Sequence, residues 1–235
     1  MIKRQDSTHQ TAIMESLAPI TNLLTEEQIK ELLENIRTKK FKKNEVLYKE
    51  GDVSQYFHCL INGKVKVCRE GIGGRSQIVR IMKPVEFFGY RAYLANENYI
   101  TSAVAFEPAT LYLIPMQIVD KWIKNNQLLA NYFVRLFAVE LGISDRRVVN
   151  LTQKHVRGRL AESLLFLKET YGLEEDHHTI AARMSREDLA SLSNMTTSNA
   201  IRTLSAFSSE GILSVDGRKI CILDEQRLKK VSKIG

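Results

Sequence analysis

Cysteine is scarce: Cys59, Cys68 and Cys221 are the whole complement, far apart in the chain. An odd number at such spacing builds neither a disulfide framework nor a four-thiolate metal site. The three read as reduced thiols on half-buried strands. Long apolar runs are missing too, none approaching the roughly 20 residues that cross a bilayer. The opening MIKRQDSTHQ lacks the apolar stretch of a secretory signal. The expected location is therefore the cytoplasm, with no membrane partner. Histidine is also sparse, and of the five only His58 lies between Phe41 and Pro115. A jelly-roll metal enzyme would need clustered His and carboxylates in that segment. No catalytic residue, no metal ligand and no enzymatic activity are expected.

What is present is a balanced composition. With 235 residues, 44% hydrophobic and 26% charged, the chain can bury one large core or two ordinary ones. Lys and Arg exceed Asp and Glu by 34 to 27, a net charge of +7. That favours polyanions such as nucleic acid or an acidic membrane surface. From Arg146 onward the balance is 15 to 11, so the excess is shared between the two halves. The positions of the arginines carry more information than their number.

Along the chain, residues 1–20 read as a loose arm. Thr25-Glu26-Glu27-Gln28 has the form of a capping box opening a helix to about Ile36. From Phe41 to Pro115 short runs rich in β-branched and aromatic residues follow one another: 46–48, 56–61, 64–68, 77–82, 100–106 and 110–114. Asn62-Gly63 between two of them is a tight-hairpin signal with positive φ at both positions. Closely spaced strands without intervening helices predict an antiparallel barrel or jelly roll. Asn126 to Lys154 then contains no proline and a single glycine, Gly142, and predicts a long helix. On it Leu129, Tyr132, Leu136, Val139 and Ile143 follow heptad spacing, with Phe133, Phe137 and Leu141 as a second stripe. Two apolar faces need two partners: the expected pair is the helix's own β domain and a second copy of the chain, and the alternative is that both stripes pack inside a monomer. The expected organisation is α+β, with a sensor β domain over 1–125, a dimerisation helix over 126–154 and a C-terminal domain over 155–235.

In that last domain Arg157 to Tyr171 forms a helix stopped by Gly172. The stretch SREDLASLSNMTTSNAIRTLSAFSSEGILSVDGRKICIL follows. Ser185 caps a two-turn helix, Ser193 to Thr196 makes the turn with Asn194 in a left-handed conformation, and Thr196 or Thr197 caps a second helix to Glu210. Two short helices joined by such a turn form a helix-turn-helix. The second opens with Thr196, Thr197, Ser198, Asn199 and Arg202, short hydrogen-bonding groups and one guanidinium suited to base edges. Ile212 to Leu223 folds as a hairpin at Asp216-Gly217, a wing whose Arg218 and Lys219 face phosphate.

With these residues in order, the chain resembles the cyclic-AMP receptor protein / fumarate–nitrate reduction regulator (CRP/FNR) family over roughly residues 23 to 223. The resemblance rests on KEGD (49–52), YFHCLINGKVKV (56–67), FFGY (87–90), ITSAVAF (100–106) and the helix-turn-helix stretch. It implies an effector-binding β-roll resembling a cyclic-nucleotide-binding domain, a dimerisation helix, and a winged helix that binds promoter DNA and engages RNA polymerase. It places Thr196, Thr197, Ser198 and Arg202 on the recognition helix, with Ser198 where many members have glutamate. Ser185 and Arg186 fall at positions that clamp backbone phosphate.

Members that bind cyclic AMP carry Gly-Glu and Arg-Ser/Thr pairs, and the corresponding places here read Gly89-Tyr90, beside Arg91, and Ile100-Thr101. An anion without its guanidinium loses a charge-assisted pair. The effector is therefore expected to be an unknown small molecule other than cyclic AMP. The cysteine cluster of the iron–sulfur members is missing, so no such cluster is expected. Haem, used by some relatives, has His58 as its best-placed imidazole, and a structural role for that residue is the simpler reading. The Gly71–Gly74 run reads as a turn. A sequence-specific dimeric DNA-binding regulator is the leading reading. The alternatives are a haem-based gas sensor, and an effector-binding module that signals through protein contacts.

Overall fold

The computed structural model describes residues 10–234. Among them two compact units separate: the chain up to Arg69 with Val79–Val139, and Glu70–Ile78 with the chain from Glu140 onward.

In the first unit the stretch expected to be a loose arm is helical from residue 10 onward. Helix α1 (residues 10–16) and α2 (Ala18–Thr21) turn Ile13, Leu17 and Ile20 inward, each 3% exposed or less. Their spacing of four and three is that of an apolar helical stripe. Residues 1–9 of that arm lie outside the described residues. Helix α3 (Glu26–Asn35) opens on the expected capping box: Gln28 N–H donates to the Thr25 hydroxyl, and Thr25 N–H to the Gln28 side chain.

Eight strands follow in two four-stranded sheets. β1 (Arg37–Phe41), β3 (Tyr56–Asn62), β6 (Phe87–Phe88) and β8 (Ala109–Pro115) form one, ordered β1-β8-β3-β6. β2 (Val46–Tyr48), β4 (Val65–Glu70), β5 (Ser76–Met82) and β7 (Ser102–Ala105) form the other, ordered β2-β7-β4-β5. Consecutive β3 and β4 lie in different sheets, so Asn62-Gly63 is a corner and not the expected hairpin turn. Only Gly63 takes positive φ there, +89°, and a Cβ on it would lie 2.1 Å from the Pro108 carbonyl oxygen. Close approach of another strand's backbone, as well as turn geometry, makes that position a glycine.

Leu60, Leu111 and Leu113 of the first sheet meet Val65, Val67, Ala103 and Ala105 of the second in the roll's interior. The opposite face of β3 and β8, with Phe57, Cys59, Tyr112 and Ile114, packs on α1 to α3, on α5 (Met116–Asn125) and on the start of α6 (Gln127–Gln153). Both faces are covered, so β8 reads as continuous apolar sequence and not as an alternation. Trp122 of α5 is 1% exposed and its indole N–H donates to Glu31 at 2.7 Å.

The second unit holds the end of α6, α7 (Val156–Tyr171), α8 (Arg186–Leu192), α9 (Thr197–Ser209), the β9–β10 hairpin (Leu213–Asp216, Lys219–Ile222) and α10 (Glu225–Ile234). The segment Glu70–Ile78 belongs with it. The Ser191 hydroxyl donates to the Ser76 carbonyl at 2.7 Å and accepts from Ile78 N–H at 2.8 Å. Helix α10, which packs on α7, adds the buried Leu228.

Candidate nucleic-acid interface

Ser185 caps α8 by accepting from Asp188 N–H at 3.0 Å, and its own hydroxyl donates back to the Asp188 carboxylate at 2.7 Å. The turn after α8 contains Asn194 at φ +49°, the left-handed conformation its type tolerates. Met195 and Ser193 are buried in the turn, and Ser193 hydrogen-bonds the Ser163 hydroxyl at 2.8 Å. Thr196 then caps α9, accepting from Asn199 N–H at 3.2 Å. Ala200, Thr203, Leu204 and Phe207 turn inward and fix the helix.

That burial leaves Thr197, Ser198, Ile201, Arg202 and Ser205 as one exposed stripe. Arg202 donates from Nη2 to Asn199 Oδ1 at 2.5 Å, one turn back, which draws its guanidinium toward the helix N-terminus. In the wing Asp216 pairs with Lys219 across the two-residue turn Gly217-Arg218, and Gly217 has φ +53°. Arg218 and Lys219 are exposed at the tip. Arg186 donates to the Gly217 carbonyl at 2.7 Å and so ties α8 to the wing. In this free state the Ser185 hydroxyl is engaged by the fold itself, whereas Arg186 uses Nη2 on the wing and keeps its buried Nη1 without a partner among the described residues. The exposed hydrogen-bonding groups and cations lie on the first turns of α9 and on the wing.

Inside the roll the arrangement is aromatic. The Tyr48 and Tyr99 rings stack 3.8 Å apart, and His58 stacks on Phe88 at 5.1 Å and lies 5.6 Å from Tyr48. All four side chains are buried. The Ser54 hydroxyl donates to the Gly89 carbonyl at 2.7 Å and shares a hydrogen bond with the Tyr99 hydroxyl at 3.1 Å. Gly89 has φ +85°, and a Cβ there would fall 2.4 Å from His58 Nδ1. Burial holds the His58 imidazole neutral, its pKa lowered to about 4. Burial likewise pushes the Tyr48 phenol up, against a hydrogen bond from Thr101.

The chain matches the family model described as Cyclic nucleotide-binding domain over residues 38–126, and that described as Crp-like helix-turn-helix domain over residues 158–231. It belongs to the CRP/FNR family of transcriptional regulators. The Cyclic AMP receptor protein of Thermus thermophilus is 26% identical over 216 residues, covering 88% of this chain and 96% of the relative. The CRP-like cAMP-activated global transcriptional regulator of Mycobacterium tuberculosis is 23% identical over 191 residues, covering 81% and 85%. The solved structure of a crp/fnr-family transcriptional regulator from Eubacterium rectale superposes with a TM-score of 0.78 at 20% identity, covering 92% of this chain and 98% of that one. The β-roll, long helix and winged helix are those of the CRP/FNR fold.

Within this CRP/FNR regulator the effector residues expected from the sequence do not converge. Gly89 lines the interior, but Tyr90 starts α4 (Tyr90–Leu94) and turns into the outer cluster, its ring 5.6 Å from Phe57 and 5.8 Å from Phe133. Arg91 is exposed and paired with Glu97 at 3.0 Å. Ile100 is 39% exposed and faces away, whereas Thr101 is half-buried beside Tyr48. The sequence reading missed Tyr99, Tyr48 and Ser54; Tyr99 is one position before the expected pair.

The seam expected on the long helix is divided as well. Leu129 is 1% exposed and belongs to its own unit's core, with Tyr132 and Leu136 half-buried against it. Val139 and Ile143 are exposed, joined by Val134, Leu141 and Val148, which recur every seven residues. Leu129 and Phe133, one turn apart and expected on separate stripes, face the same cluster and share one buried face.

Proposed function

We propose that this regulator binds double-stranded DNA as a homodimer on a two-fold symmetric operator, with half-site centres about 34 Å apart. The observation that carries the reading is the exposed stripe of Thr197, Ser198 and Arg202 on the first turns of α9. Thr196 and Asn199 shape that stripe, one capping the helix and the other holding Arg202. Arg218 and Lys219 meet phosphate from the wing, and Ser185 and Arg186 contact it from the start of α8. The exposed apolar residues of α6, Val139 and Ile143 among them, join the two chains. RNA polymerase is the expected protein partner, the cytoplasm the expected compartment, and regulation without catalysis the activity.

The proposed effector is a small molecule other than cyclic AMP. The support is the Tyr48–Tyr99 stack, which fills roll interior with the protein's own side chains. His58 does not fit a haem ligand: it is wedged among Tyr48, Phe88 and Gly89, with Nδ1 against backbone. No iron–sulfur cluster or other cofactor forms part of the proposal.

Selection of duplexes from a random pool by the purified protein tests the reading. The expected outcome is enrichment of one inverted repeat, bound with an affinity that falls steeply with salt as counterions compete for phosphate. Failure to enrich any sequence, with no complex even at low salt, would contradict it.

A further inference from the structure

Among the described residues of α9, Ile201 is the large apolar side chain left in solvent, 47% exposed. The helix does not need it for packing, since Ala200, Thr203, Leu204 and Phe207 supply the buried face. Single exposed apolar side chains are ordinary on protein surfaces. What sets Ile201 apart is its company. It lies four residues after Thr197, three after Ser198 and next to Arg202, hence on the same stripe as those polar groups. A β-branched side chain also has few χ1 choices in a helix, so its methyl groups are held in place before any partner arrives.

In the major groove the apolar group on a base edge is the C5-methyl of thymine. We propose that Ile201 is a specificity-determining residue that packs against a thymine methyl in each half-site. The proposal rests on the DNA-binding reading above and deepens it. The flanking groups add a constraint on position. Arg202 favours guanine O6 and N7, and adjacent helix residues reach the same or neighbouring base pairs. The thymine therefore lies within about two base pairs of the guanine that Arg202 reads, given a helical rise near 1.5 Å per residue against about 3.4 Å per base pair. Ser198, short and polar, leaves room beside Ile201 for the methyl.

The test begins with the duplex that wild-type protein selects from a random pool. Each thymine near the conserved guanine is then replaced by deoxyuridine, which removes the methyl and leaves pairing intact. Wild-type affinity is expected to fall about fourfold for each methyl removed, the factor supplied by burying about one methyl group, and hence about fifteenfold when both half-sites carry the replacement. Ile201→Ala is expected to bind thymine and uracil duplexes equally and to select sites with no thymine preference at that place. Thermal melting of Ile201→Ala checks its fold, while the uracil series on wild-type protein is independent of it. An enriched site to which wild-type protein binds equally well with every thymine replaced would overturn the role of Ile201 alone, as would an Ile201→Ala protein still sensitive to the methyl. Enrichment of no duplex at all would overturn the DNA-binding reading, and this inference with it.

Discussion

Tyr48 and Tyr99 stack with ring centroids 3.8 Å apart and planes 14° from parallel, in the interior between the two sheets of the roll. Tyr48 is at the end of β2 and Tyr99 just before β7, two strands that pair with each other, so the stack closes the roll at that end. Offset or parallel ring pairs of this kind add about 0.5–1.5 kcal/mol beyond the area they bury. Tyr99→Ala should cost about 3 kcal/mol of stability, as large-to-small aromatic changes in cores do. Tyr99→Phe keeps the stack and loses only the hydrogen bond with Ser54, at about 1 kcal/mol. Denaturant midpoints of the two variants check the order. Equal, negligible losses would mean that the stack does not hold the roll.

His58 sets a pH dependence. Its pKa is lowered to about 4 by burial, reinforced by the charge of Lys39 and opposed by hydrogen bonds to backbone at Phe88 and Tyr56. In the unfolded chain an imidazole titrates near 6.5. Between those values the unfolded state binds a proton that the folded state refuses, so stability falls as pH drops from about 6.5 toward 4. The full window is worth about 3 kcal/mol at 1.36 kcal/mol per pH unit. Carboxylates lower stability over the same range, so a comparison isolates the histidine. Stability of His58→Phe, measured at pH 7 and pH 4.5, should fall by about 2 kcal/mol less than that of wild-type protein, since that interval covers about two of the pH units at 1.36 kcal/mol each. Parallel losses would show that His58 titrates normally.

Helix α6 makes a different demand. Val134, Leu141 and Val148 are each at least 60% exposed in the single chain, on a helix whose other side is already in a core. Seven-residue recurrence of apolar side chains is a seam for a second helix. Leu141→Glu combined with Val148→Glu should convert a two-chain species to single chains in sedimentation, weakening self-association by at least about 100-fold at ~1.5 kcal/mol per side chain. Far-ultraviolet circular dichroism should be unchanged, because both positions face solvent in the single chain. Unaltered sedimentation would place the contact elsewhere.

Much of this was legible in the residues because the signals were local. The Thr25–Gln28 box, the Thr196 cap and left-handed Asn194 each depend on three or four neighbouring positions, and each forms as read. Strand β1 escaped notice because Arg37, Thr38, Lys39 and Lys40 are all exposed; it is extended through pairing with β8, and its charges suit an edge. Asn62-Gly63 looked like a hairpin because the sequence around a tight turn does not record which sheet the next strand joins. Tyr99 was missed for a related reason. Whether 99 or 100 faces inward depends on the path after Asn96 at φ +55°, and one residue's shift exchanges the two faces. Ile201 was passed over because an isoleucine in a helix reads as core until its neighbours show which side is buried.

Titration of the selected operator duplex with purified protein, followed by fluorescence anisotropy with and without cyclic AMP, is the most direct measurement. Saturation at two chains per duplex, with tight binding confined to the inverted repeat and indifferent to cyclic AMP, is the expected result. One chain per duplex, equal affinity for unrelated sequences, or a strict need for cyclic AMP would contradict it.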